Sequence, residues 1–598
     1  MRRDSQGAGM DETRANAEVY DARALLRQLP LFRHLDETAL SALVAELEWF
    51  ALPGGATLFD FGDASDALYV LRSGSLGAFK PDQHGTFHLE GLVAAGETVG
   101  ELGLMIDQPR SATVRALRDS ELLRLSRAGF KTLIASNPDA MLEAARVSVK
   151  RLLAQRTTTQ LTAPRTFAIL PHDEGLDATG FARQLRESLA RYGECALVDA
   201  ETAAGQTSGW FSALESRVRF VVYLGLASNE EWRHLCVRQA DCLLYLADAS
   251  QPATPWPEGV TLDPERVMHR PRHLLLTYPD GTIIFGAASS WLQHHAPGIQ
   301  HHHVRNHRDI ERVARLLIGR SIGLVLSGGG ARGFAHIGVV RALREAGMMI
   351  DRVGGTSIGA IIAAGVAADW NEEEMFDNYR RSFVTGKPLR DYTFPFVSLV
   401  SGRRVSKLLH EEFGDRDITD LVLPYFCVTA NLTAGRAETH RHGPLWFWLR
   451  ASCAIPGVLP PVFHRGEVFV DGAVINNLPV DVMREQGVGE VVAVDISADD
   501  VLHAAIEEYA LPPWWQLMWQ RWTQPGLRPG ILSILLRSGM VNAEAASLER
   551  HAMTSLLLEP PLEDIQLLDW HAYERAIEAG YRHAQTVLGR AAAPRELP

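Results

Sequence analysis

Three short segments carry residue types that could perform acyl transfer. In Gly355-Thr356-Ser357-Ile358-Gly359 a serine lies between two glycines. Glycines on both sides permit a strained turn that lifts the serine Oγ clear of the backbone, as in a nucleophile elbow. Gly328-Gly329-Gly330-Ala331-Arg332-Gly333 is glycine-rich backbone just ahead of a helical pattern. Free N–H groups and the positive dipole end at a helix N-terminus can hold an anion. Asp471-Gly472-Ala473 offers a carboxylate on a tight turn. A nucleophile, a proton acceptor and an anion-holding loop make the working set of a serine hydrolase. Each segment alone says little. The first loop also fits a dinucleotide fingerprint, with Asp351 about 20 residues on, where a ribose-binding acid would stand. A lone GxSxG can be no more than a tight strand–helix turn.

These residues need a particular scaffold. The apolar run Ile322–Leu326 reads as a strand feeding the glycine-rich loop, and Ala335–Ala346 as the helix after it. A strand ending near Val353 and a helix Ile358–Ala367 would flank the serine, and strand-like Glu467–Val470 would lead into Asp471. Further strands are expected at Tyr425–Ala430 and Val491–Asp495, and a helix at Glu311–Gly319 leads into the unit. Strands alternating with helices imply a parallel sheet.

The rest of the chain changes period twice. At 598 residues it is too long for one core. Residues 1–20 are polar and read as a disordered N-terminus without a secretory signal. Leucines 25, 26, 29, 40, 43 and 47 recur at helical spacing, and glycines then punctuate short apolar runs from Phe50 to Leu125, as in a small β-roll or barrel. Asn137-Pro138 opens a helix to about Gln155, and Thr157–Pro164 reads as a linker. Phe167–Leu170, Phe220–Leu224, Cys242–Leu246 and Leu274–Thr277 are buried-strand runs of an α/β spacer that lacks the GxxxxGK[ST] phosphate loop.

Composition removes several function classes. A net charge of −13 argues against a nucleic-acid partner. Five scattered cysteines without a CxxC pair suit a reducing compartment. No apolar run approaches the roughly 18 residues of a membrane span.

A Ser-His-Asp triad would need a histidine after Ser357. His410, His440, His442, His464, His503, His551, His571 and His583 are available, and none stands in an evident catalytic turn. The alternative is a Ser–Asp dyad. GGGARG, GTSIG and DGA in this order resemble patatin-like phospholipases over about Ile322 to Leu588, as do Arg450-Ala451-Ser452-Cys453-Ala454-Ile455-Pro456-Gly457 and Asn476-Asn477-Leu478-Pro479. The resemblance implies Ser357 as nucleophile and Asp471 as base. It implies an oxyanion loop of Gly328, Gly329, Gly330 and Arg332, with Gly333, Gly355, Gly359 and Gly472 as motif glycines. Ser327 departs from the pattern, where relatives often have another glycine. No metal or other cofactor is implied for catalysis.

Gly100-Glu101-Leu102-Gly103-Leu104 precedes Pro109-Arg110-Ser111-Ala112-Thr113-Val114. A carboxylate can accept a ribose hydroxyl and a guanidinium can fork onto a phosphate, although the pair also fits an ordinary surface loop. Leu31 to Arg156 is similar to cyclic-nucleotide-binding domains, including Leu68-Tyr69-Val70-Leu71-Arg72-Ser73-Gly74. The similarity implies a nucleotide site at Gly100, Glu101, Arg110 and Ser111, with cAMP or cGMP as allosteric ligand. The whole order resembles the bacterial relatives of neuropathy target esterase, which are lysophospholipases. The expected fold class is multidomain: an N-terminal β-roll cyclic-nucleotide-binding domain plus helices at 21–156, an α/β spacer domain at 165–315, and a C-terminal α/β patatin-like hydrolase domain at 320–598.

Two readings compete. The first is a lipid acyl-ester hydrolase acting on lysophospholipid or phospholipid, cytoplasmic or peripheral on the inner membrane face. The second is a nucleotide-sensing regulatory protein with an inactive hydrolase domain. Oligomeric state is left open. Two further features carry expectations. The tract His294, His295, His301, His302, His303 and His307 lacks ligand partners at metal spacing and reads as a strand end with exposed imidazoles. Trp515, Met518, Trp519 and Trp522 share one helical face, which either packs into the core or rests in lipid headgroups.

Overall fold

A computed structural model describes residues 35–81, 87–136, 163–206, 208–256, 270–295, 298–497, 512–523 and 547–592, with a few isolated positions before 35 and at 145–146. The proposed N-terminal disorder, the helix to Gln155 and most of the linker after it lie outside these residues. The chain divides into two compact units, one of residues 1–247, 255–275 and 296–300, the other of 248–254, 276–295 and 301–598.

The β-roll is built from two four-stranded sheets. Glu48–Leu52, Ser120–Ser126, Ala67–Ser73 and Thr98–Val99 form one; Thr57–Phe59, Thr113–Ala116, Ser75–Pro81 and Phe87–Ala94 form the other. Alternation of side chains explains the two cores. Along Ala67–Ser73, Ala67, Tyr69 and Leu71 pack with Leu76, Val93, Val114 and Leu122. Leu68 and Val70 point the other way and pack with Leu40, Leu43, Phe130 and Leu133 of the helices Glu37–Ala45 and Arg127–Ser136.

The spacer sheet runs in the order Cys195–Val198, Phe220–Leu224, Thr166–Pro171, Cys242–Asp248, Arg272–Thr277, Gln300–Val304. Its first four strands pair in parallel. All five residues of Phe220–Leu224 are buried, as a strand covered on both faces requires. After Thr166–Pro171, where a phosphate loop would stand, carboxylates stand instead. Asp173 accepts the Gly175 N–H, and Asp177 accepts the Gly180 N–H and caps the helix Ala178–Ala190.

The C-terminal sheet has the order Val462–His464, Glu467–Asp471, Tyr425–Asn431, Arg352–Thr356, Ile322–Leu326, Glu490–Val494, Leu556–Leu558, with Arg436–His440 paired to Tyr425–Asn431. The strands from Tyr425–Asn431 to Leu556–Leu558 pair in parallel, whereas Glu467–Asp471 runs antiparallel. The helix Ile358–Ala367 is buried along its whole length.

Two expectations are corrected here. The histidine tract is exposed only in part: His294 and His307 face solvent, whereas His302 and His303 are buried in the strand Gln300–Val304. The His303 Nδ1 lies 2.6 Å from the Tyr278 hydroxyl, and its Nε2 lies 2.8 Å from the Thr419 carbonyl. Successive side chains of a strand point to opposite faces, so burial of both means that protein covers this edge strand on both faces at that point, whatever the polarity of the residues. The tryptophan helix, Trp514–Thr523, packs against no core among the described residues: Trp514, Trp515, Met518, Trp519 and Trp522 are all exposed. No described helix is long and apolar enough to cross a membrane.

Candidate active site

The strand Arg352–Thr356 delivers Ser357 directly into the helix Ile358–Ala367. Ser357 takes φ 56° and ψ −127°, in the left-handed half of backbone space. A serine held there costs about 1–3 kcal/mol, which the surrounding packing must sustain. The flanking glycines allow that packing. A Cβ on Gly355 would stand 2.6 Å from the Leu326 carbonyl oxygen, and one on Gly359 would stand 2.3 Å from the same atom. The turn therefore rests on the end of the neighbouring strand, and only hydrogen fits between them.

Ser357 Oγ donates to Asp471 Oδ2 at 2.6 Å, although 114 residues separate them. The antiparallel strand Glu467–Asp471 delivers this carboxylate from the far side of Tyr425–Asn431. Asp471 Oδ1 accepts the Ala473 N–H at 2.9 Å, which fixes the carboxylate plane. Burial raises the Asp471 carboxyl to about 6, against the opposing pull of the Ser357 and Ala473 hydrogen bonds. The group is a carboxylate at neutral pH and a better proton acceptor than an ordinary aspartate. Gly472 is confined to glycine by the Val428 carbonyl, which a Cβ would meet at 2.3 Å.

The glycine-rich loop opens the short 3-10 turn Gly330–Phe334, which runs into the helix Ala335–Glu345. Its three leading glycines are not equivalent. The Gly328 N–H donates to the Asn477 side chain at 3.1 Å, and Asn477 returns a bond to the Gly328 carbonyl. A Cβ on Gly328 would stand 3.0 Å from the Ser357 Cβ, so this loop borders the nucleophile. Gly333 packs against Ile358. The Arg332 side chain is buried, and its Nε donates to the Ile565 carbonyl at 2.7 Å. Its observed bond thus ties the loop to the chain before the C-terminal helix.

Sequence reading assigned no role to Ser452. Its Oγ accepts the Ser357 N–H at 2.9 Å and donates to the Val428 carbonyl at 2.7 Å. The segment Arg450–Gly457 had marked the position, but only the fold shows what the hydroxyl touches. Four of the candidate histidines are engaged elsewhere: His410 with Asp415, His440 with Thr429, His551 with Asp495, and His583 with the Glu559 N–H; His503 lies outside the described residues. Asp351 is buried and clamped by Arg315 at 2.6 Å, leaving no carboxylate for a ribose.

In the β-roll, Gly100 caps the short helix Glu101–Met105 with φ 89°. Glu101 and Arg110 are buried, and Ser111 is exposed. The Arg110 guanidinium donates to Asp66 Oδ1 at 2.9 Å, to the Ala67 carbonyl at 2.9 Å and to the Gly100 carbonyl at 3.1 Å. It lies 4.1 Å over the Phe59 ring. A phosphate would enter beside a guanidinium already held in place. The same unit carries a buried clamp between roll and spacer that sequence reading did not find. Arg118 meets Glu215 at 2.8 Å and Asp241 at 2.7 Å, and Ser73 meets Ser212 at 2.9 Å.

The comparisons agree with this layout. A family model of patatin-like phospholipases matches residues 324–484, one of cyclic nucleotide-binding domains matches 49–137, and one of Neuropathy Target Esterase family P-loop like domains matches 163–322. Fold and matches together define a patatin-like phospholipase domain carried on the same chain as a cyclic nucleotide-binding domain. An NTE family protein of Mycobacterium tuberculosis is 31% identical over 593 residues, covering 95% of this chain and 96% of its own. The chain belongs to the neuropathy target esterase family. Human patatin-like phospholipase domain-containing protein 6 is 29% identical over 612 residues, covering 91% of this chain and 44% of its own. Mouse patatin-like phospholipase domain-containing protein 7 is 29% identical over 615 residues, and against these animal relatives the chain spans about half their length.

Proposed function

We propose that the chain is a serine carboxylic ester hydrolase of lysophospholipase type, acting on lysophospholipid or phospholipid. The contact that carries this reading is Ser357 Oγ to Asp471 Oδ2 at 2.6 Å, made by a serine held in the strained turn of an elbow. Asp471 takes the Ser357 proton as Oγ attacks the ester carbonyl. The oxyanion forms at the glycine-rich loop. Because the Gly328 N–H already serves Asn477, the Gly329 and Gly330 N–H groups are the donors assigned to it. Collapse expels the alcohol, which takes the proton from Asp471. Water, deprotonated by Asp471, then attacks the acyl carbonyl, and Asp471 returns that proton to Ser357 Oγ as the fatty acid leaves. The Ser452 hydroxyl holds the Ser357 backbone in register throughout.

A cyclic nucleotide, cAMP or cGMP, is proposed to bind at Gly100, Glu101, Arg110 and Ser111 and to regulate turnover. The exposed tryptophan helix favours peripheral membrane contact.

Fluorophosphonate labelling tests the hydrolase reading. The wild-type chain should be labelled at Ser357, and Ser357→Ala should abolish both label and ester turnover. An unlabelled wild-type protein would leave the regulator with an inactive hydrolase domain. A panel of lipid esters, with and without each nucleotide, would then define substrate and regulation.

A further inference from the structure

The catalytic domain carries a second exposed apolar feature, away from the tryptophan helix in sequence. Asp391–Ser401 is an ordered hairpin. Tyr392 and Val400 bridge antiparallel, the Thr393 N–H donates to the Leu399 carbonyl at 3.1 Å, and the Ser401 N–H donates to the Asp391 carbonyl at 2.8 Å. Its tip is Phe394-Pro395-Phe396-Val397. Tyr392 is 79% exposed, Phe394 72%, Phe396 87% and Val397 62%. The two phenylalanine rings contact one another, with centroids 4.7 Å apart. Water-facing aromatics concentrated on one hairpin tip are unfavourable for a surface with no partner.

Two observations say what covers it. The first is charge. Residues 386–404 hold Lys387, Arg390, Arg403 and Arg404 against Asp391 alone, so four cations less one anion leave +3 in a chain of net charge −13. All four cations are exposed, while the Asp391 carboxylate is taken by the Ser401 hydroxyl and the Arg404 N–H. An aromatic tip with a cationic base matches acyl chains beneath anionic headgroups. The second is continuity with the candidate site. The Leu399 and Val400 N–H groups donate to the carbonyls of Gly457 and Val458 at 2.9 and 3.1 Å. That strip begins at Ser452, which holds Ser357, and at Ala454, whose carbonyl accepts the Asp471 N–H at 3.0 Å. The hairpin is thus bonded to the backbone that positions both reacting side chains.

We propose that the Asp391–Ser401 hairpin is a lipid-docking element: it inserts Phe394 and Phe396 into an anionic bilayer and presents the Ser357 site to the lipid surface. The proposal rests on the lipid-ester hydrolase reading above. Burying two phenylalanines out of water is worth well over a tenfold change in partitioning.

Flotation of the full chain tests it, with vesicles of phosphatidylcholine and of an equal mixture with phosphatidylglycerol. F394S/F396S should weaken binding to mixed vesicles at least about tenfold while hydrolysis of a short soluble ester stays within about twofold. K387E/R390E should weaken binding to mixed vesicles and leave the weaker binding to phosphatidylcholine unchanged. Wild-type binding by both variants overturns the proposal, and so does absence of vesicle binding by the wild type. If F394S/F396S fails to fold, K387E/R390E decides alone, and unchanged binding to mixed vesicles refutes docking. A hairpin-dependent dimer without vesicle binding also refutes it. Ser357→Ala should float as wild type does, so failure of the hydrolase reading would show in the soluble-ester assay and not in flotation.

Discussion

Replacing Asp471 by asparagine should move activity and stability in opposite directions. The carboxyl is buried, and burial raises it from 3.8 to about 6. At neutral pH the ionised group therefore costs the folded chain about 3 kcal/mol relative to the unfolded one. Asparagine removes that cost. Its carbonyl can still accept the Ala473 N–H, while the Ser357 hydroxyl loses a charged acceptor, worth about 2 kcal/mol. The net is roughly 1 kcal/mol of added stability, or a melting temperature raised by roughly 2 °C. The pH dependence follows from the raised folded-state value. Below 3.8 both states are protonated and the wild-type aspartate carries no penalty. Its stability falls as pH rises through the window from 3.8 to about 6 and is constant above it. The advantage of Asp471→Asn should therefore be complete at pH 7.5 and much smaller at pH 4.5. Catalysis goes the other way. Without a proton acceptor, turnover should fall by about 10³-fold or more. Melting followed by circular dichroism at the two pH values, with soluble-ester hydrolysis in parallel, measures both. Turnover above about 10% of wild type, or a variant less stable at pH 7.5 than wild type, would refute the reasoning.

The wild-type enzyme should lose kcat/KM on the acid side with an apparent pKa near 6, because only ionised Asp471 accepts the serine proton; a flat profile between pH 5 and 8 would remove Asp471 from that role. Ser452→Ala leaves the buried Ser357 N–H without its acceptor, so kcat should fall by about 10- to 100-fold at a stability cost of about 1–3 kcal/mol, read by kinetics and melting. Arg110→Lys keeps the charge and loses the fork, so calorimetry should show cAMP or cGMP binding weakened by at least about tenfold with the roll still folded. Trp515→Ala with Trp519→Ala should weaken vesicle flotation without lowering melting temperature, since both side chains face solvent; a large loss of stability would put them in a core.

What was legible in the sequence was local. Gly355 and Gly359 around Ser357 announce an elbow because only hydrogen fits where the turn rests on Leu326. The apolar run Ile322–Leu326 and the helix Ile358–Ala367 were placed to the residue, because a buried strand and a buried helix leave no polar positions to confuse the period. The strand before Ser357 runs to Thr356 and not merely to Val353, because a glycine pair in a strand reads as a turn until a neighbouring strand is seen to need it.

Tertiary structure alone decided the rest. Asp471 could be named as a carboxylate on a turn, but its distance to Ser357 depends on an antiparallel strand added across Tyr425–Asn431, a pairing with no local signal. The same strand order buries the carboxyl and so raises its pKa. His302 and His303 are polar by type and buried by position, because burial follows what packs over a strand and not what the strand is made of. The reverse holds for Phe394, Phe396 and the tryptophan helix, which are apolar by type and exposed by position. Periodicity states which side chains share a face. Only the packing of distant segments determines whether that face meets protein, water or lipid.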